Sequence, residues 1–299
     1  MKITSKKFFQ CFYLLLKTST IPKTDWFSLF KTILLTILKH PNSVFKRQTE
    51  ESKKHFLTDY LAKPIIVKSP EGIIFVARPK FEDLARFLFS EVIAKWEPFS
   101  LITGKNNVII DLGANVGYYT LKLSKKNKDC KIIAIEPDPN TFKILSQNCE
   151  LNNLKNIALH NVAISEENGT VKLFQSKTHS GTSSILSKSY SQNESVSIKS
   201  ITLDNLLGNL YKKIDWLKID VEGSELFVLK GASNTLKITN KIIIELHEEI
   251  LNQNNQSSKQ IIDILTKNNF KITTFTEYWN QNTSQNQELK SDYILAEKL

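Results

Sequence analysis

The sequence predicts an α/β fold built on a parallel sheet. Residues 107–139 contain an apolar strand, a glycine turn, a helix, a second apolar strand and then an acidic residue. The run from Val108 to Leu112 is short and apolar almost throughout, which is typical of a parallel strand buried on both faces. Gly113 and Gly117 bracket the turn that follows, so a helix is expected to begin near Tyr118.

Strands and helices continue to alternate toward the end of the chain, as expected for βα units. After the first unit, the pattern predicts strands at 132–135, 156–160, 215–220, 241–247, 270–276 and 292–296, and helices at 139–148 and 258–267. Two further alternating segments, 170–174 and 195–202, indicate a β-hairpin inserted between the third and fourth strands. A separate hairpin is predicted at 65–68 and 72–77, just after Pro64.

Charge separates a basic extension, residues 1–64, from a main domain, residues 65–299. The extension holds 12 Lys and Arg against 4 Asp and Glu, and so carries +8 of the formal net charge of +10. Its apolar residues at 27, 30, 34, 37 and 38 follow helical spacing, which predicts a helix packed on the main domain. The alternative is peripheral docking on a membrane through residues 1–40. The extension has two apolar stretches, residues 8–16 and 26–38, and both fall short of the roughly 20 residues of a membrane span, so a transmembrane anchor is not expected.

The main domain is close to neutral, so no nucleic-acid partner is predicted. The three cysteines, Cys11, Cys130 and Cys149, are widely spaced and odd in number, which argues against a disulfide framework or a zinc site. We therefore expect a cytoplasmic protein, which would be peripheral at the inner membrane face if the extension docks there.

The glycine turn and the second strand outline a cofactor site. Glu136 follows that strand 19 residues after Gly117, near the roughly 20-residue offset at which an acidic side chain meets ribose hydroxyls. The turn has Ala114 and Asn115 where a dinucleotide fingerprint needs glycine spacing, so backbone room for a pyrophosphate is not expected. Asp111, at the strand end, would repel a phosphate but suits the ammonium and sulfonium of S-adenosylmethionine. Two glycines after a strand also fit an ordinary βα turn, and the two acidic residues favour the cofactor.

A second group of charged residues is predicted at the ends of the fourth and fifth strands. Lys218, Asp220 and Glu222 share one parity in a segment that should be apolar, so a pairing network or a functional site must explain them. Glu245 and His247 share one face at the end of the fifth strand. His247 is the candidate base, Glu245 its orienting partner and Asp220 the alternative base. A hydrogen-bonded core histidine is the equally weighted structural interpretation.

Two further interpretations concern the same segment. Glu225 falls in the first turn of the next helix, where the helix dipole favours a carboxylate, so a structural role is predicted for it. The side chains of Asp220, Glu222, Glu245 and His247 also suit Mg²⁺ or Mn²⁺. A divalent metal is ranked second, because the chain shows no compact ligand motif, and no metal ligand is assigned.

The join between the two strands of the predicted insertion is rich in hydroxyl groups. Residues 179–184 read HSGTSS and are expected at the edge of the sheet where ligands enter an α/β fold. Gly181, Thr182 and Ser183 are therefore candidate substrate contacts, together with Glu222. A flexible surface loop is the alternative interpretation of this stretch.

Taken together, the main domain resembles the FkbM-type family of S-adenosylmethionine-dependent methyltransferases. The segments that carry the resemblance are Asp111 to Thr120 (DLGANVGYYT), Ile135 to Pro139 (IEPDP), Gly181 to Ser183 (GTS), Thr202 to Asp204 (TLD), Lys218 to Glu225 (KIDVEGSE) and Glu245 to His247 (ELH). The resemblance implies a doubly wound, seven-stranded Rossmann-like sheet, methyl transfer to oxygen, and small-molecule or glycan acceptors. Asn161 and Ala163 resemble the adenine-side contact. The extension, residues 1–64, lies outside the family pattern.

The combined prediction is an S-adenosylmethionine-dependent O-methyltransferase that acts on a hydroxyl of a small molecule or glycan. In it, Asp111 and the turn residues Gly113, Asn115 and Gly117 hold the methionine portion, and Glu136 holds the ribose. His247 or Asp220 takes the proton, with Lys218 in the same catalytic group. The alternatives are a non-catalytic S-adenosylmethionine-binding module, a nucleic-acid methyltransferase and a nicotinamide-dependent oxidoreductase, against which the glycine spacing argues.

Overall fold

The computed structural model describes residues 65–69, 72–77, 102, 104–175, 183–186, 195–275, 277 and 292–299. The predictions for residues 1–64, Gly181 and Thr182 lie outside the described residues. The chain divides into two compact units, of which the first takes in residues 1–97, 147–153 and 178–180 and the second the remainder.

In the first unit, strand β1 (Ile65–Lys68) pairs antiparallel with β2 (Ile74–Ala77), which confirms the predicted hairpin. The side chains of Asn148 and Asn152, in the same unit, bind the β2 backbone. Their Oδ1 atoms accept the Val76 N–H at 2.6 Å and the Ile74 N–H at 2.9 Å. The outer edge of the hairpin therefore has polar partners within its own unit.

The second unit holds the remaining described strands and helices. Its strands are β3 (Val108–Leu112), β4 (Lys131–Ile135), β5 (Ile157–His160), β6 (Ala163–Ile164), β7 (Gly169–Gln175), β8 (Ser183–Ser184), β9 (Ser195–Ile201), β10 (Ile214–Ile219), β11 (Thr239–Glu245), β12 (Phe270–Thr274) and β13 (Tyr293–Lys298). Its helices are α1 (Tyr118–Lys126), α2 (Pro139–Leu151, whose last turn belongs to the first unit), α3 (Leu203–Leu207), α4 (Glu225–Lys230), α5 (Ser233–Lys237), α6 (Glu248–Gln253) and α7 (Ser258–Lys267).

Seven strands form the main sheet, in the order β12-β13-β11-β10-β3-β4-β5. Neighbouring strands from β11 to β5 are parallel, and β13 runs antiparallel between β11 and β12. Chain order reverses between β3 and β10, because the chain first moves outward through β4 and β5 and then returns to the other side of β3. This is the topological switch point of a doubly wound α/β sheet, where such folds bind their ligands.

The predicted seven-stranded α/β fold is thus confirmed, and its core follows from the apolar strands. Ile110 in β3, Ile133 in β4 and Leu217 in β10 are at most 1% exposed, since helices cover both faces of a parallel sheet. Helix α7 begins with a capping box between Ser257 and Gln260. Among the helices that the structure describes, none is long and apolar enough to cross a membrane.

The insertion is larger than the hairpin predicted from sequence. Strands β7 and β9 pair antiparallel as expected, but β6 adds to β9 in parallel and β8 adds to β7, which gives a four-stranded sheet. Both added strands have only two residues. A two-residue strand is too short to show an alternating pattern, so its sequence carried no signal.

Candidate functional site

The candidate site lies at the carboxyl ends of β3, β4, β10 and β11. The turn after β3 contains residues 113–117, and Glu136 follows β4 directly. Asp220 and Glu222 follow β10, and Glu245 and His247 lie at and just beyond the end of β11. The predicted cofactor and catalytic residues therefore share one edge of the sheet, on both sides of the switch point.

Gly113 permits a very close approach between the β3 turn and the end of β10. It adopts φ +74°, and a Cβ atom there would fall 1.8 Å from the carbonyl oxygen of Asp220. The N–H groups of Gly113 and Ala114 both donate to the Ile135 carbonyl at 3.0 Å. Only glycine fits this position, which explains the first glycine of the turn.

Glu136 ties the turn to the end of β4. Its Oε2 accepts the N–H of Asn115 at 2.8 Å and its Oε1 accepts the N–H of Asp138 at 3.0 Å. Asn115 is itself in the left-handed region, with φ +53°. Glu136 is 6% exposed, so its carboxylate is held close to the backbone of the turn.

The two residues predicted on the adenine side, Asn161 and Ala163, lie in different structural environments. Asn161 donates from Nδ2 to the carbonyl oxygens of Glu136 and Pro137, at 2.8 and 3.0 Å, and so fixes the backbone behind the acidic residue. Ala163 is buried in β6, opposite Ser200 of β9.

Asp111 and Lys218 form a buried ion pair across the switch point. They are directly opposite each other in the register of β3 and β10, with Asp111 Oδ1 2.8 Å from Lys218 Nζ. Thr120 in α1 donates to the other oxygen, Oδ2, at 2.5 Å. Burial alone lowers the pKa of Lys218, but Asp111 and Asp220 raise it above its ordinary value, so Lys218 is charged.

The structure gives Asp111 a partner that the sequence did not predict. Its side chain is 0% exposed and pairs with Lys218. The sequence predicted that a charge on this strand would need a partner, and Asp111 of β3 is that partner for Lys218 of β10. Lys218 also donates to the carbonyl oxygens of Leu112 and Gly113, at 3.3 and 3.2 Å, which fixes the start of the turn.

His247 lies between two carboxylates. Its Nδ1 is 2.8 Å from Glu225 Oε1 and its Nε2 is 3.3 Å from Glu222 Oε2. Burial by itself lowers the pKa of His247, but the hydrogen bond to Glu225 and the charges of Glu222 and Asp220 raise it to about 10. His247 is consequently an imidazolium at neutral pH.

Glu225 thus takes the place that the sequence analysis gave to Glu245. Glu225 is 0% exposed, and its Oε1 also accepts the N–H of Gly223 at 2.9 Å. Glu245 instead accepts a hydrogen bond from the Tyr293 hydroxyl at 2.6 Å, across the antiparallel pair β11–β13. The helix-dipole interpretation of Glu225 missed this contact, because two-residue periodicity cannot describe a turn beyond the strand end.

Glu222 and Asp220 complete the cluster. Burial, with the charges of Asp220, Glu245 and Glu225, raises the pKa of Glu222 to about 8, although His247 lowers it. Asp220 Oδ2 lies 3.5 Å from Lys218 Nζ. One donor atom from each of Asp220, Glu222 and His247 lies within 4.8 Å of the others, so three of the four residues considered for a divalent metal converge.

One contact of the inserted sheet with the cluster was not predicted. Ser184 in β8 is buried, and its hydroxyl donates to the carbonyl oxygen of Glu222 at 2.6 Å. It directly follows the predicted substrate residues Gly181, Thr182 and Ser183. The side chains of these three are not among those described. The available signal was the hydroxyl-rich stretch at 179–184.

Several known proteins are similar to this chain. Methyltransferase 1 of Beauveria bassiana is 28% identical over 161 residues, which are 47% of this chain and 65% of that protein. Hexuronic acid methyltransferase AglP of Haloferax volcanii is 32% identical over 48% of this chain and 57% of its own length. 2-O-methyltransferase NoeI of Sinorhizobium fredii is 25% identical over 56% of this chain and 74% of its own length. The chain therefore spans less than two thirds of the first and second of these relatives.

Solved structures give weaker likenesses. The structure of M. jannaschii TYW2 in complex with AdoMet aligns with a TM-score of 0.41 and 17% identity, over 78% of this chain and 86% of that one. A score at this level does not support a functional comparison. The model of the methyltransferase FkbM domain, by contrast, matches residues 111–272, which are more than half of the chain and include the carboxyl end of β3 and all of β10. The chain therefore belongs to the FkbM methyltransferase family.

Proposed function

We propose that this protein transfers a methyl group from S-adenosylmethionine to a hydroxyl of a small molecule or glycan. The observation that carries the proposal is that Glu136 and its turn share one sheet edge with the Glu222–His247–Glu225 cluster, at the switch point. Two relatives, a hexuronic acid methyltransferase and a 2-O-methyltransferase, support a saccharide acceptor.

The cofactor part of the proposal depends on Glu136. Its carboxylate follows β4 directly and accepts the N–H groups of Asn115 and Asp138, and carboxylate oxygens are the acceptors that the two ribose hydroxyls require. The turn from Gly113 to Gly117 would lie along the methionine portion, and Asn161 and Ala163 would lie toward the adenine. Asp111 acts indirectly, by holding Lys218 against the turn. S-adenosylmethionine would supply a sulfonium-bound methyl group, and S-adenosylhomocysteine would leave.

The catalytic part assigns proton removal to Glu222. Sequence reasoning gave this task to His247 or Asp220, but His247 is already protonated at neutral pH and Asp220 is paired with Lys218. The pKa of Glu222, about 8, is lower than that of His247, about 10, so as the pH rises Glu222 is the first of the two to become the free base that can accept a proton. As the acceptor oxygen bonds to the methyl carbon, its proton passes to Glu222. The imidazolium of His247, held by Glu225, lies beside Glu222 and stabilises its carboxylate form before the transfer.

A divalent metal is the second mechanism to be tested. Asp220, Glu222 and His247 have the right donor types for Mg²⁺ or Mn²⁺. Neighbouring ligands of an octahedral ion at about 2.1 Å stand roughly 3 Å apart, so the cluster would have to contract and His247 would have to release Glu222. We therefore propose a route in which the proton moves without a metal.

The test is methyl transfer from radiolabelled S-adenosylmethionine to a panel of uronic acids, oligosaccharides and small-molecule alcohols, with RNA as the control acceptor. Label should enter a saccharide or alcohol but not RNA, and this transfer should persist in EDTA. Glu222→Gln should lower kcat by about 100-fold or more, as for loss of a general base. Glu248→Gln, in the first turn of α6, is the matched control.

Three results would contradict the proposal. Cofactor binding without transfer to any acceptor would point to the non-catalytic binding module. Label in RNA alone would point to a nucleic-acid methyltransferase. Loss of transfer in EDTA, restored by Mg²⁺ or Mn²⁺, would replace the metal-free route by the metal-assisted one.

A further inference from the structure

The inserted sheet contacts the catalytic cluster through one buried hydroxyl. Ser184 is 1% exposed, and its Oγ donates to the Glu222 carbonyl oxygen at 2.6 Å while accepting the N–H of Leu186 at 3.1 Å. A hydroxyl has a single proton to donate, and Ser184 commits that proton to the backbone of Glu222. The contact joins β8 to the segment after β10, 38 residues further along the chain.

The backbone that Ser184 contacts is strained. Glu222 adopts φ +51°, in the left-handed region that residues other than glycine, asparagine and aspartate rarely visit. Such a conformation is strained and persists only where the surroundings impose it. Gly223 continues the turn at φ +96°, where a Cβ atom would fall 2.3 Å from Ile250. The turn therefore depends on contacts from outside its own sequence.

Those contacts determine where the Glu222 carboxylate lies. On one side of the turn, Glu225 accepts the N–H of Gly223 at 2.9 Å, and on the other Ser184 holds the Glu222 carbonyl. Between these two anchors the side chain of Glu222 reaches Nε2 of His247 at 3.3 Å. If the Ser184 anchor is lost, Glu222 can relax toward an ordinary backbone conformation, which moves its carboxylate away from the ring.

We propose that Ser184 is a positioning residue, which holds Glu222 in its left-handed conformation and its carboxylate against His247. The inserted sheet is thereby coupled to the group that accepts the proton. The consequence for catalysis rests on the proposed function, but the effect on His247 depends only on the hydrogen bond and can be measured without a substrate.

The experiment compares Ser184→Ala with Ser200→Ala in the full chain. Ser200 is a matched control, because it is 3% exposed, lies in the same sheet and donates to a backbone carbonyl, that of Glu167, at 3.3 Å. The readout is the titration of His247, followed by NMR with labelled histidine in a buffer that contains EDTA. The signal is assigned with His247→Gln.

Ser184→Ala should lower the titration midpoint of His247 by about one pH unit or more, which corresponds to a loss of proton affinity of about tenfold or more. The fall is expected because Glu222 withdraws, while Asp220 and Glu225, the other carboxylates acting on the ring, remain. Ser200→Ala should leave the midpoint unchanged at a similar loss of stability. Ser184→Thr, which keeps the hydroxyl, should restore it. In the transfer assay, Ser184→Ala should lower kcat about tenfold and leave cofactor affinity unchanged.

An unchanged His247 midpoint in folded Ser184→Ala, or the same change in Ser200→Ala, would overturn the proposal. If Ser184→Ala does not fold, Ser184→Cys provides the same comparison, because a thiol is a weak donor of similar size. A lowered midpoint in a protein that methylates no acceptor would support the positioning role and reject the proposed function, so the two failures are distinguishable.

Discussion

Replacing Lys218 by Met removes a buried cation from the centre of the main sheet. Its Nζ contacts Asp111 Oδ1 at 2.8 Å and Asp220 Oδ2 at 3.5 Å, with side chains 2%, 0% and 22% exposed respectively. Methionine fills a similar volume but leaves Asp111 charged, buried and supported only by Thr120 among its described partners. The variant therefore isolates the cost of an unpaired carboxylate inside the sheet.

Breaking a buried pair by removing one partner costs about 3–5 kcal/mol of unfolding free energy. The matched control is Lys241→Met on β11. Lys241 is paired with Glu297, but both side chains are about 40% exposed, so its loss should cost less than about 1 kcal/mol. Lys218→Met combined with Asp111→Asn removes both charges and should recover most of the loss, because the unpaired carboxylate is gone.

The assay is urea unfolding of the full chain at pH 7, followed by circular dichroism. Lys218→Met should lose several times more unfolding free energy than Lys241→Met, and the double variant should lose less than its two single variants lose in sum. Equal small losses at positions 218 and 241 would contradict this expectation, since they would mean that the Asp111–Lys218 pair contributes no more than a surface pair.

Three further outcomes are expected. Glu225→Gln should lower the pKa of His247 toward its ordinary value, because the charge at Nδ1 is lost; NMR titration checks this, with Glu248→Gln as the control, and an unchanged midpoint would contradict it. Glu222 and His247 have folded-state pKa values of about 8 and 10 against ordinary values of 4.5 and 6.5, so the folded protein holds more protons between pH 4.5 and 10. Stability should therefore fall as the pH rises through that window, by up to about 1.4 kcal/mol per pH unit for each proton. Thermal unfolding at pH 6 and pH 9 tests this direction, and greater stability at pH 9 would contradict it. Gly113→Ala should not fold stably, because its Cβ would lie 1.8 Å from the Asp220 carbonyl, whereas Gly208→Ala meets no atom within 4 Å and should cost far less in the same unfolding assay; equal losses would argue against the close approach.

The parts of the fold that were predictable carry strong local patterns. The strand at 108–112 was predicted with the bounds that β3 has, and helix α7 begins and ends where its periodicity indicated. Buried parallel strands and amphipathic helices are specified by residues close together in the chain, so sequence reasoning suffices for them. The two-residue strands β6 and β8 carry no such pattern, and they are defined only by their pairing with β9 and β7.

The candidate site was predicted as a group of residues but not as a set of contacts. Lys218, Asp220 and Glu222 were identified as unusual because charges rarely occupy a parallel strand. That Lys218 pairs with Asp111 depends on the register of two strands more than 100 residues apart. Glu225 reaches His247 because the turn after β10 adopts left-handed conformations at Glu222 and Gly223, which strand periodicity does not describe.

The central claim is that the β3 turn and Glu136 bind S-adenosylmethionine. Isothermal titration calorimetry of the full chain tests it directly, with NADH as the control ligand and Glu136→Gln as the variant. We predict saturable binding of S-adenosylmethionine, at least about tenfold weaker in the variant, as for the loss of one charge-assisted hydrogen bond, and no binding of NADH. Failure of folded wild-type protein to bind S-adenosylmethionine, or equal affinity in Glu136→Gln, would contradict it.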